Sequence, residues 1–375
     1  MRITGIIAEY NPFHNGHLYQ IETLRSRFAS DYIIVLMNGN FTQRGDVALI
    51  DKYSRATMAL QAGADLILEL PVLYGTGSAE FFASGAIRIL HALGCVDSLC
   101  FGCETNDLDL LRQIAEIYAE EPPVYRTELN QALRTGLSFP KARVSALRAY
   151  GISTHRKFPD DLSFLKMPNT ILAIEYLKAI SKQNCSIEPI LIPRTDSSYH
   201  STDLTPSASA TAIRSAYETN GLSADFAHTV PSYVYNTLMQ AYHVSAPMTT
   251  ADFYSDLQYC LWKPRRPLTE YLDISDDLAH RIQTKYHPEY TYAQFLDSIA
   301  CKQYTMTRMK RCLLHILLDI KTDDMQIQSL PGTDIYARVL GFRKSSKDLL
   351  RHIRTSASLP IIQSVADAEK MMIKN

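Results

Sequence analysis

Two histidines separated by an Asn-Gly pair stand near the start of the chain. They are His14 and His17 in the stretch GIIAEYNPFHNGHLYQ, and they follow an apolar run that ends at Ala8. Imidazoles at this spacing can donate hydrogen bonds to phosphoryl oxygens as negative charge builds there, which is usually the largest catalytic contribution. Gly16 permits close approach of the backbone to a ligand. The pattern predicts a nucleotide phosphate site, with a plain surface turn or part of a metal site as alternatives.

The elements around this pattern are typical of an anion site. The run Ile3–Ala8 has the length of a buried strand, and Asn11-Pro12 requires an extended or turning backbone. A helix then opens at His17 and continues with apolar residues at helical spacing to Phe28. Because the first N–H groups of a helix lack partners within the helix, we expect them to bind phosphate together with the imidazoles.

A second segment with suitable chemistry is SASATAIRSAY, far along the chain. Ser209 and Thr211 stand where another helix begins, and Arg214 follows one turn later. Hydroxyls at a helix start cap the helix and can bind phosphate. A guanidinium can contact a phosphate through two N–H groups at once. We therefore expect these residues to complete the phosphate site.

Strand-length apolar runs alternate with helical patterns over the first 215 residues. The expected strands are Ile3–Ala8, Tyr32–Met37, Leu66–Leu70, Ser98–Gly102 and Ile187–Ile192, and helices between them include His17–Phe28 and Ser78–Leu93. This alternation predicts a Rossmann-like α/β fold with a parallel sheet, which binds ligands at the carboxyl ends of its strands. From about residue 229 the pattern is mainly helical, so we predict an α/β domain over 1–228 and an all-α domain over 229–375.

Composition narrows the class of protein. Hydrophobic residues make up 46% of the 375 residues, charged residues 21%, and the net charge is −1, as in ordinary globular proteins. No apolar run is long enough for a membrane span, and MRITGIIAEY suggests a first strand and no signal peptide, so we expect a cytoplasmic protein. Seven cysteines do not suggest a disulfide framework. Cys95, Cys100 and Cys103 have iron–sulfur spacing but lack a nearby fourth thiolate.

The two motifs resemble those of a known superfamily. His14-Asn15-Gly16-His17 is similar to the HxGH signature of the nucleotidyltransferases, and the segment ending at Arg214 is similar to their later ISSTxxR signature, with Ala208 and Ala210 replacing an Ile and a Ser. A closer resemblance, over nearly all of residues 1–215, is to the bacterial tRNA(Met) cytidine acetate ligase family. It rests on IIAEYNPFHNGHLYQI, NGNFTQRGDVA, ADLILELP, GSAEFFASGAI, FGCETND, LKMPNTILAIEYLKAI, IPR and SATAIR taken together.

The resemblance implies a reaction in two steps. ATP and acetate first give acetyl-adenylate and pyrophosphate, and the acetyl group then passes to the exocyclic amine of the wobble cytidine in the anticodon of elongator tRNA(Met), forming N4-acetylcytidine. His14, His17 and Arg214 are the expected catalytic residues. Mg²⁺ is expected to accompany the ATP phosphates. The sequence does not indicate the oligomeric state.

The resemblance also implies an ATP site. It maps to Ile7, Ala8, Glu9, Tyr10, Asn11, Pro12, Phe13, His14, Asn15, Gly16, His17, Leu18, Tyr19, Gln20, Gly102, Asn169 and Arg194, to which we add Ser209 and Thr211. Two departures from the family pattern fall in this region. Cys103 stands where the family usually has Ser, and KMPNT, which ends at Thr170, replaces the commoner KPNN.

A loop with two glycines follows the second predicted strand. This segment, GNFTQRG (39–45), contains Asn40, Gln43 and Arg44, and we expect it to lie over the active site as a flexible loop. A solvated connection is the alternative. Lys166, just before the Met-Pro-Asn segment, is expected to add a positive charge to the site.

Basic residues in the C-terminal part form a candidate RNA surface. They are Arg265, Arg266, Arg308, Lys310, Arg311, Arg343, Lys344, Lys347 and Arg351. Lys347, Arg351 and Arg354 share one helix face by spacing. Tyr336, Phe342 and His352, interspersed among them, could stack on unpaired bases. A solvated helix face is the usual alternative for such charges.

Two other functions remain open at this stage. A nucleotidyltransferase acting on a small molecule would share the His and Arg motifs, but it would give no role to the basic C-terminal part. A catalytically inactive RNA- or nucleotide-binding protein would have no need of intact His14, His17 and Arg214.

Overall fold

Strands and helices alternate along the first half of the chain in a computed structural model, which describes residues 1–194, 208–221, 226–244, 247–329, 335–364, 366 and 368. The strands are β1 (Ile3–Ala8), β2 (Tyr32–Asn38), β3 (Leu66–Leu70), β4 (Ser98–Cys103), β5 (Glu188–Pro193), β6 (Ala337–Phe342) and β7 (Ile361–Ile362). The helices are α1 (Asn15–Ser26), α2 (Lys52–Gln61), α3 (Val72–Gly75), α4 (Ala79–Ala92), α5 (Leu108–Glu120), α6 (Pro123–Arg134), α7 (Phe139–Thr154), α8 (Pro168–Lys182), α9 (Ala210–Asn220), α10 (Ser232–Val244), α11 (Tyr254–Trp262), α12 (Asp276–Lys285), α13 (Tyr292–Ile299), α14 (Met306–Leu318), α15 (Thr322–Ser329) and α16 (Lys347–Ser356).

The strands form one sheet with the order β5-β4-β1-β2-β3-β6-β7. The first five are parallel, and β1 pairs with both β2 and β4. The chain moves from β1 to one side through β2 and β3, and then returns to the other side with β4 and β5. The order therefore reverses between β1 and β4, where open α/β sheets bind their ligands. The predicted Rossmann-like fold is confirmed.

The central strand, β2, is apolar at consecutive positions and does not alternate with polar residues, because both of its faces are buried. Ile33, Ile34, Val35 and Leu36 of β2 have no exposed surface. Ile34 and Leu36 pack into one core with α4, whereas Ile33 and Val35 pack on the opposite face with α1 and α2. A parallel strand covered on both faces requires apolar residues at every position. Burying one such side chain stabilises the fold by about 1.5–3 kcal/mol.

The helices that follow residue 229 do not all belong to one layer. Helix α10 packs on the α/β core through Val234 and Leu238. Helices α11 to α14 instead surround a core of their own, which includes Leu257, Phe295 and Ile316. The described part of the chain contains no helix long and apolar enough to cross a membrane. The expected domain boundary near residue 228 remains a prediction.

The C-terminal part is not all helical, which corrects that expectation. Strand β6 extends the sheet by pairing antiparallel with β3, and β7 pairs with β6. The sequence of β6, ARVLGF, is short and contains a charged residue and a glycine, so it lacks the apolar run that identified the other strands. Its Arg338 lies 3.2 Å from Glu69 of β3. This cross-strand ion pair accompanies the pairing of β6 with β3, and Val339 and Leu340 of β6 pack against the cores on the two faces of the sheet.

Candidate active site

Helix α1 begins at Asn15, two residues earlier than expected, so the histidines hold special positions. His14 is the residue that caps the helix, and His17 is the third residue inside it. The backbone N–H of Gly16 donates to His14 Nδ1 at 3.1 Å, and the backbone N–H of His14 donates to His17 Nδ1 at 3.2 Å. The two imidazoles thus form a reciprocal capping box, the arrangement in which Ser or Thr and Glu usually serve.

This arrangement changes how the site can hold an anion. The backbone N–H of Asn15 donates to the carbonyl oxygen of Thr229 at 3.3 Å, and that of Gly16 is already bonded to His14. The expectation that free N–H groups of the first helical turn bind phosphate is therefore wrong for these residues. Their partners lie within the protein, so side chains must supply the anion contacts.

The histidine rings are neutral hydrogen-bond donors. They stack with their centroids 3.7 Å apart. Burial lowers the pKa of His14 to about 3, and the nearby guanidiniums of Arg194 and Arg214 lower it as well. Burial, followed by the proximity of His14 and Arg194, also holds the pKa of His17 well below its usual value. Because each Nδ1 accepts a hydrogen bond, the proton of each neutral ring is on Nε2.

Arg214 connects the two motifs that are distant in sequence. Helix α9 begins at Ala210, and the hydroxyl of Ser209 caps it by accepting from the backbone N–H of Ala212 at 3.2 Å. Arg214 Nη1 donates to the carbonyl oxygen of Asn11 at 2.6 Å, and Nη2 donates to Thr211 Oγ1 at 3.3 Å. The guanidinium is thereby held against the loop that leads from β1 to the histidines.

Both motifs line one cavity of about 1280 Å³ at the carboxyl ends of the strands. This volume exceeds that of an ordinary small-molecule pocket and suits a nucleotide together with a second substrate. The predicted site residues on its wall are Ile7, Ala8, Glu9, Tyr10, Asn11, His14, Asn15, Gly16, His17, Tyr19, Gln20, Gln43, Arg44, Gly102, Asn169, Arg194, Ser209, Thr211 and Arg214.

Three residues of the predicted ATP-binding stretch do not line this cavity. They are Pro12, Phe13 and Leu18. Phe13 has no exposed surface, and its ring packs 4.8 Å from that of Tyr10 and 5.4 Å from that of His17. Phe13 thus supports His17 from within the core, and Leu18 of α1 packs against the same core.

Asn40 of the predicted active-site loop and Lys166 also lie off the cavity wall. Asn40 Oδ1 accepts from the backbone N–H of Lys52 at 3.2 Å, so this side chain caps the connection to α2. Lys166 is exposed on the 3-10 turn that precedes α8. Gln43 and Arg44, by contrast, do line the cavity.

A carboxylate that the sequence analysis did not single out lies beside the cavity and orients one residue of its wall. Glu104 follows β4 directly; its Oε1 accepts from Asn169 Nδ2 at 2.7 Å, and its Oε2 accepts from the backbone N–H of Thr170 at 2.7 Å. Glu104 thus caps α8 and orients Asn169. Gly102, on the same strand, faces Arg194, since an added Cβ there would lie at ordinary contact distance, 3.5 Å, from Arg194 Cγ. The sequence did contain a signal for this role, because Glu104 is a carboxylate immediately after β4, one of the two strands between which the strand order reverses.

A buried arginine ties the ends of β1 and β2 together. Arg55 of α2 has no exposed surface and donates to the carbonyl oxygens of Glu9, Asn38, Gly39 and Ile50. Burial lowers the pKa of Arg55 to about 10, which still leaves the guanidinium charged at neutral pH. No local pattern in the sequence distinguishes this residue from a solvated arginine on an amphipathic helix.

Helix α14 forms one end of the cavity. Arg308 Nη2 donates to the carbonyl oxygen of Asp273 at 2.9 Å, and Arg311 Nη2 lies 3.3 Å from Asp273 Oδ2. Both arginines line the cavity, yet the buried Nε of each has no hydrogen-bond partner within the described part of the chain. Lys310, the third predicted RNA-binding residue here, instead pairs with Asp46 at 2.9 Å.

The remaining basic residues lie elsewhere. Arg265 and Arg266 both pair with Asp319, at 3.4 and 3.1 Å. In β6, Phe342 stands opposite Leu66, the first residue of β3. The exposed residues Arg343, Lys344, Lys347 and Arg351 that follow are therefore at the amino ends of the parallel strands. Because the cavity is at the carboxyl ends, the predicted RNA surface divides into two separate groups.

Comparison with known proteins agrees with this geometry. All 375 residues match the family model described as HIGH Nucleotidyl Transferase. The tRNA(Met) cytidine acetate ligase of Acetivibrio thermocellus is 38% identical over 374 residues, covering 98% of this chain and 89% of the relative. That of Caldanaerobacter subterraneus subsp. tengcongensis is 39% identical over 369 residues, covering 98% and 89%.

Solved structures show the same likeness over the whole chain. Thermotoga maritima TmcAL bound with alpha-thio ATP has a TM-score of 0.92 at 32% identity, covering 100% of this chain and 88% of that one. The apo form of the same protein has a TM-score of 0.93 at 32% identity, covering 100% and 89%. With its paired histidines and its late arginine on one cavity wall, the chain belongs to the tRNA(Met) cytidine acetate ligase family of the HIGH nucleotidyl transferases.

Proposed function

We propose that the protein is an ATP-dependent ligase that activates acetate as acetyl-adenylate and transfers the acetyl group to the wobble cytidine of elongator tRNA(Met). The observation that carries this proposal is the convergence of two neutral imidazoles, His14 and His17, and two guanidiniums, Arg194 and Arg214, on one cavity at the switch point of the sheet. Membership of the family supplies the reaction to which this geometry is suited.

The first step forms the acetyl-adenylate. An acetate oxygen attacks the α-phosphorus of ATP, a new P–O bond forms, and the bond to the bridging oxygen of the β-phosphate breaks to release pyrophosphate. No proton moves, so this step depends on alignment and charge stabilisation. His14 and His17 each offer an Nε2–H to the phosphoryl oxygens, and Arg214, held by Asn11 and Thr211, stabilises the departing pyrophosphate.

We assign the nucleoside of ATP, and the Mg²⁺ that neutralises its phosphates, to the rest of the cavity. Gly102, Asn169 and Arg194 line the wall formed by β4, α8 and the end of β5, and we assign the adenosine of ATP to that wall. Within the described ranges, no group of three or more His, Cys, Asp or Glu side chains is placed to hold a metal ion. Mg²⁺ would therefore be bound mainly by the ATP phosphates and water.

The RNA is assigned to the end of the cavity formed by α14. Arg308 and Arg311 are cations on the cavity wall whose buried Nε atoms have no hydrogen-bond partner among the described residues, and a guanidinium is a strong donor to a phosphate oxygen. Tyr304, whose ring lies under the Arg308 guanidinium at 4.8 Å, lines the same end and could stack on an unpaired base of the anticodon loop. The cytoplasmic location expected from the sequence stays a prediction.

One experiment separates the candidate functions. The protein is incubated with ATP, labelled acetate and bulk tRNA, and label is followed in RNA and in nucleotide. We expect label in tRNA as N4-acetylcytidine, with release of AMP and pyrophosphate. Turnover of ATP with no label in RNA would support a small-molecule nucleotidyltransferase. Binding of ATP or tRNA with no reaction would support an inactive binding protein.

A further inference from the structure

The carboxylate of Glu9 lies at the carboxyl ends of β1 and β2, and it has no role in the adenylation step proposed for the site. It directly follows β1 and lines the cavity. Its Oε1 accepts from the backbone N–H of Gln43 at 2.7 Å and from Asn38 Nδ2 at 3.1 Å. The carboxylate is thus fixed through one oxygen, and these two donors leave Oε2 to act on a ligand.

The other carboxylates on the cavity wall are engaged by cations. Glu80 and Glu175 lie 2.7 and 3.2 Å from Lys178, and Glu175 also lies 2.6 Å from Arg143. Two more are paired similarly, since Asp273 lies 3.3 Å from Arg311 and Glu121 lies 3.6 Å from Arg126. For Glu9 no ion pair occurs with any described residue.

The position of Glu9 suits the second step of the reaction. The wall assigned to adenosine follows β4 and β5, whereas Glu9 and Gln43 follow β1 and β2. The loop that contains Gln43 continues to Gly45, where an added Cβ would be 2.4 Å from the backbone nitrogen of Arg311. Glu9 is therefore bonded to the loop that reaches the α14 end of the cavity, to which we assign the RNA.

We propose that Glu9 is the general base of acyl transfer, an inference that rests on the proposed function. The exocyclic nitrogen of cytidine forms a bond to the acetyl carbonyl carbon, and the bond from that carbon to the phosphate oxygen of the adenylate breaks. AMP leaves with the electron pair of that bond. The nitrogen loses one proton, which passes to Glu9 Oε2. The amine of cytosine is weakly nucleophilic because its lone pair is delocalised, so removal of this proton gives substantial acceleration.

Glu9→Gln tests the proposal because the amide oxygen can still accept from Gln43 and Asn38. Because Glu9 belongs to the stretch assigned to ATP, acetate-dependent exchange of pyrophosphate into ATP is measured alongside, and we expect it to fall far less than acyl transfer. Single-turnover transfer from preformed acetyl-adenylate to tRNA should fall by about 10²–10⁴-fold. Hydroxylamine, a strong nucleophile that needs no base, should capture the acetyl group as the hydroxamate at the wild-type rate. Glu116→Gln, an exposed change on α5, serves as the matched control.

Several results would overturn the proposal. If Glu9→Gln loses exchange and transfer together, the residue serves ATP binding, and if transfer is unchanged, it has no part in the reaction. Slow hydroxylamine capture would place the defect before acyl transfer. Glu9→Asp retains a carboxylate, so transfer no better than that of Glu9→Gln would also count against a base. Failure of the proposed function itself would appear separately, as wild-type protein that does not acetylate tRNA.

Discussion

Cys103 Sγ lies 3.3 Å from Thr170 Oγ1. At both positions the family resemblance leads us to expect a different residue, and both side chains are completely buried. Thr170 Oγ1 also donates to Glu104 Oε2 at 2.9 Å, within the carboxylate cap of α8. The departures are therefore not independent, because each side chain shapes the space available to the other beside the adenosine wall.

We predict that Cys103→Ser and Thr170→Asn are coupled. Asn is larger than Thr and needs the room that the shorter C–O bond of Ser provides, so each single substitution should destabilise the protein more than the pair. A double-mutant cycle by urea unfolding should give a coupling free energy of about 0.5–3 kcal/mol. Strictly additive free energies of unfolding would show that the contact has no energetic consequence.

His14→Asn should separate the structural role of His14 from its chemical role. Asn is among the best helix-capping residues, so the free energy of unfolding at neutral pH should change by no more than about 1 kcal/mol. The variant lacks the Nε2–H donor, and acetate-dependent pyrophosphate exchange should fall by about 10²–10³-fold. His280→Asn, on the exposed face of α12, is the control. Exchange at the wild-type rate in His14→Asn would exclude the imidazole from the chemistry.

Stability should fall as the pH is lowered below the usual histidine pKa. Because burial lowers the pKa of His14 from 6.5 to about 3, the unfolded chain binds a proton that the folded protein does not, over the window between these values. This linkage costs about 2 kcal/mol for one such histidine between pH 7 and pH 5. Urea unfolding at pH 7, 6 and 5 should show a shallower loss in His14→Asn than in wild type; equal slopes would refute the buried neutral state.

Gly45→Ala should disrupt the contact between the active-site loop and α14. Gly45 has φ +80°, and its new Cβ would lie 2.4 Å from the backbone nitrogen of Arg311. Gly136 is a matched control with φ +85° and no atom within 4 Å. Gly136→Ala should cost only the left-handed strain of about 1–2 kcal/mol. Gly45→Ala should cost more and also slow tRNA acetylation, whereas equal free energies of unfolding would show that the loop does not depend on this contact.

The two basic groups should differ in their effect on RNA. Arg308→Ala removes a cation at the cavity, so it should weaken tRNA acetylation while leaving pyrophosphate exchange unchanged. The double reversal Arg343→Glu, Lys344→Glu acts at the far edge of the sheet and should have the smaller effect on acetylation. Kinetics at varied tRNA concentration distinguish the cases. A larger defect from the double reversal would mean that the RNA extends across the amino ends of the strands.

The sequence alone determined the parallel sheet and the identity of the two motifs. The strands β1 and β3 have the predicted bounds, since runs such as Leu66-Ile67-Leu68 are apolar at consecutive positions, as burial on both faces requires. The spacing of His14 and His17 and the position of Arg214 likewise indicated phosphate chemistry before any fold was known. Local sequence patterns are sufficient to predict such features, because each feature depends on residues that are only a few positions apart in the chain.

Tertiary structure decided how those residues work. The neutral state of the histidines depends on burial and on Arg194 and Arg214, which arrive from distant segments. The orientation of Asn169 depends on Glu104, and the pairing of β6 with β3 joins residues far apart in the chain. The electrostatic environment of a side chain and the pairing of β6 with β3 depend on contacts between elements that are distant in the chain. A short segment of sequence therefore cannot reveal them.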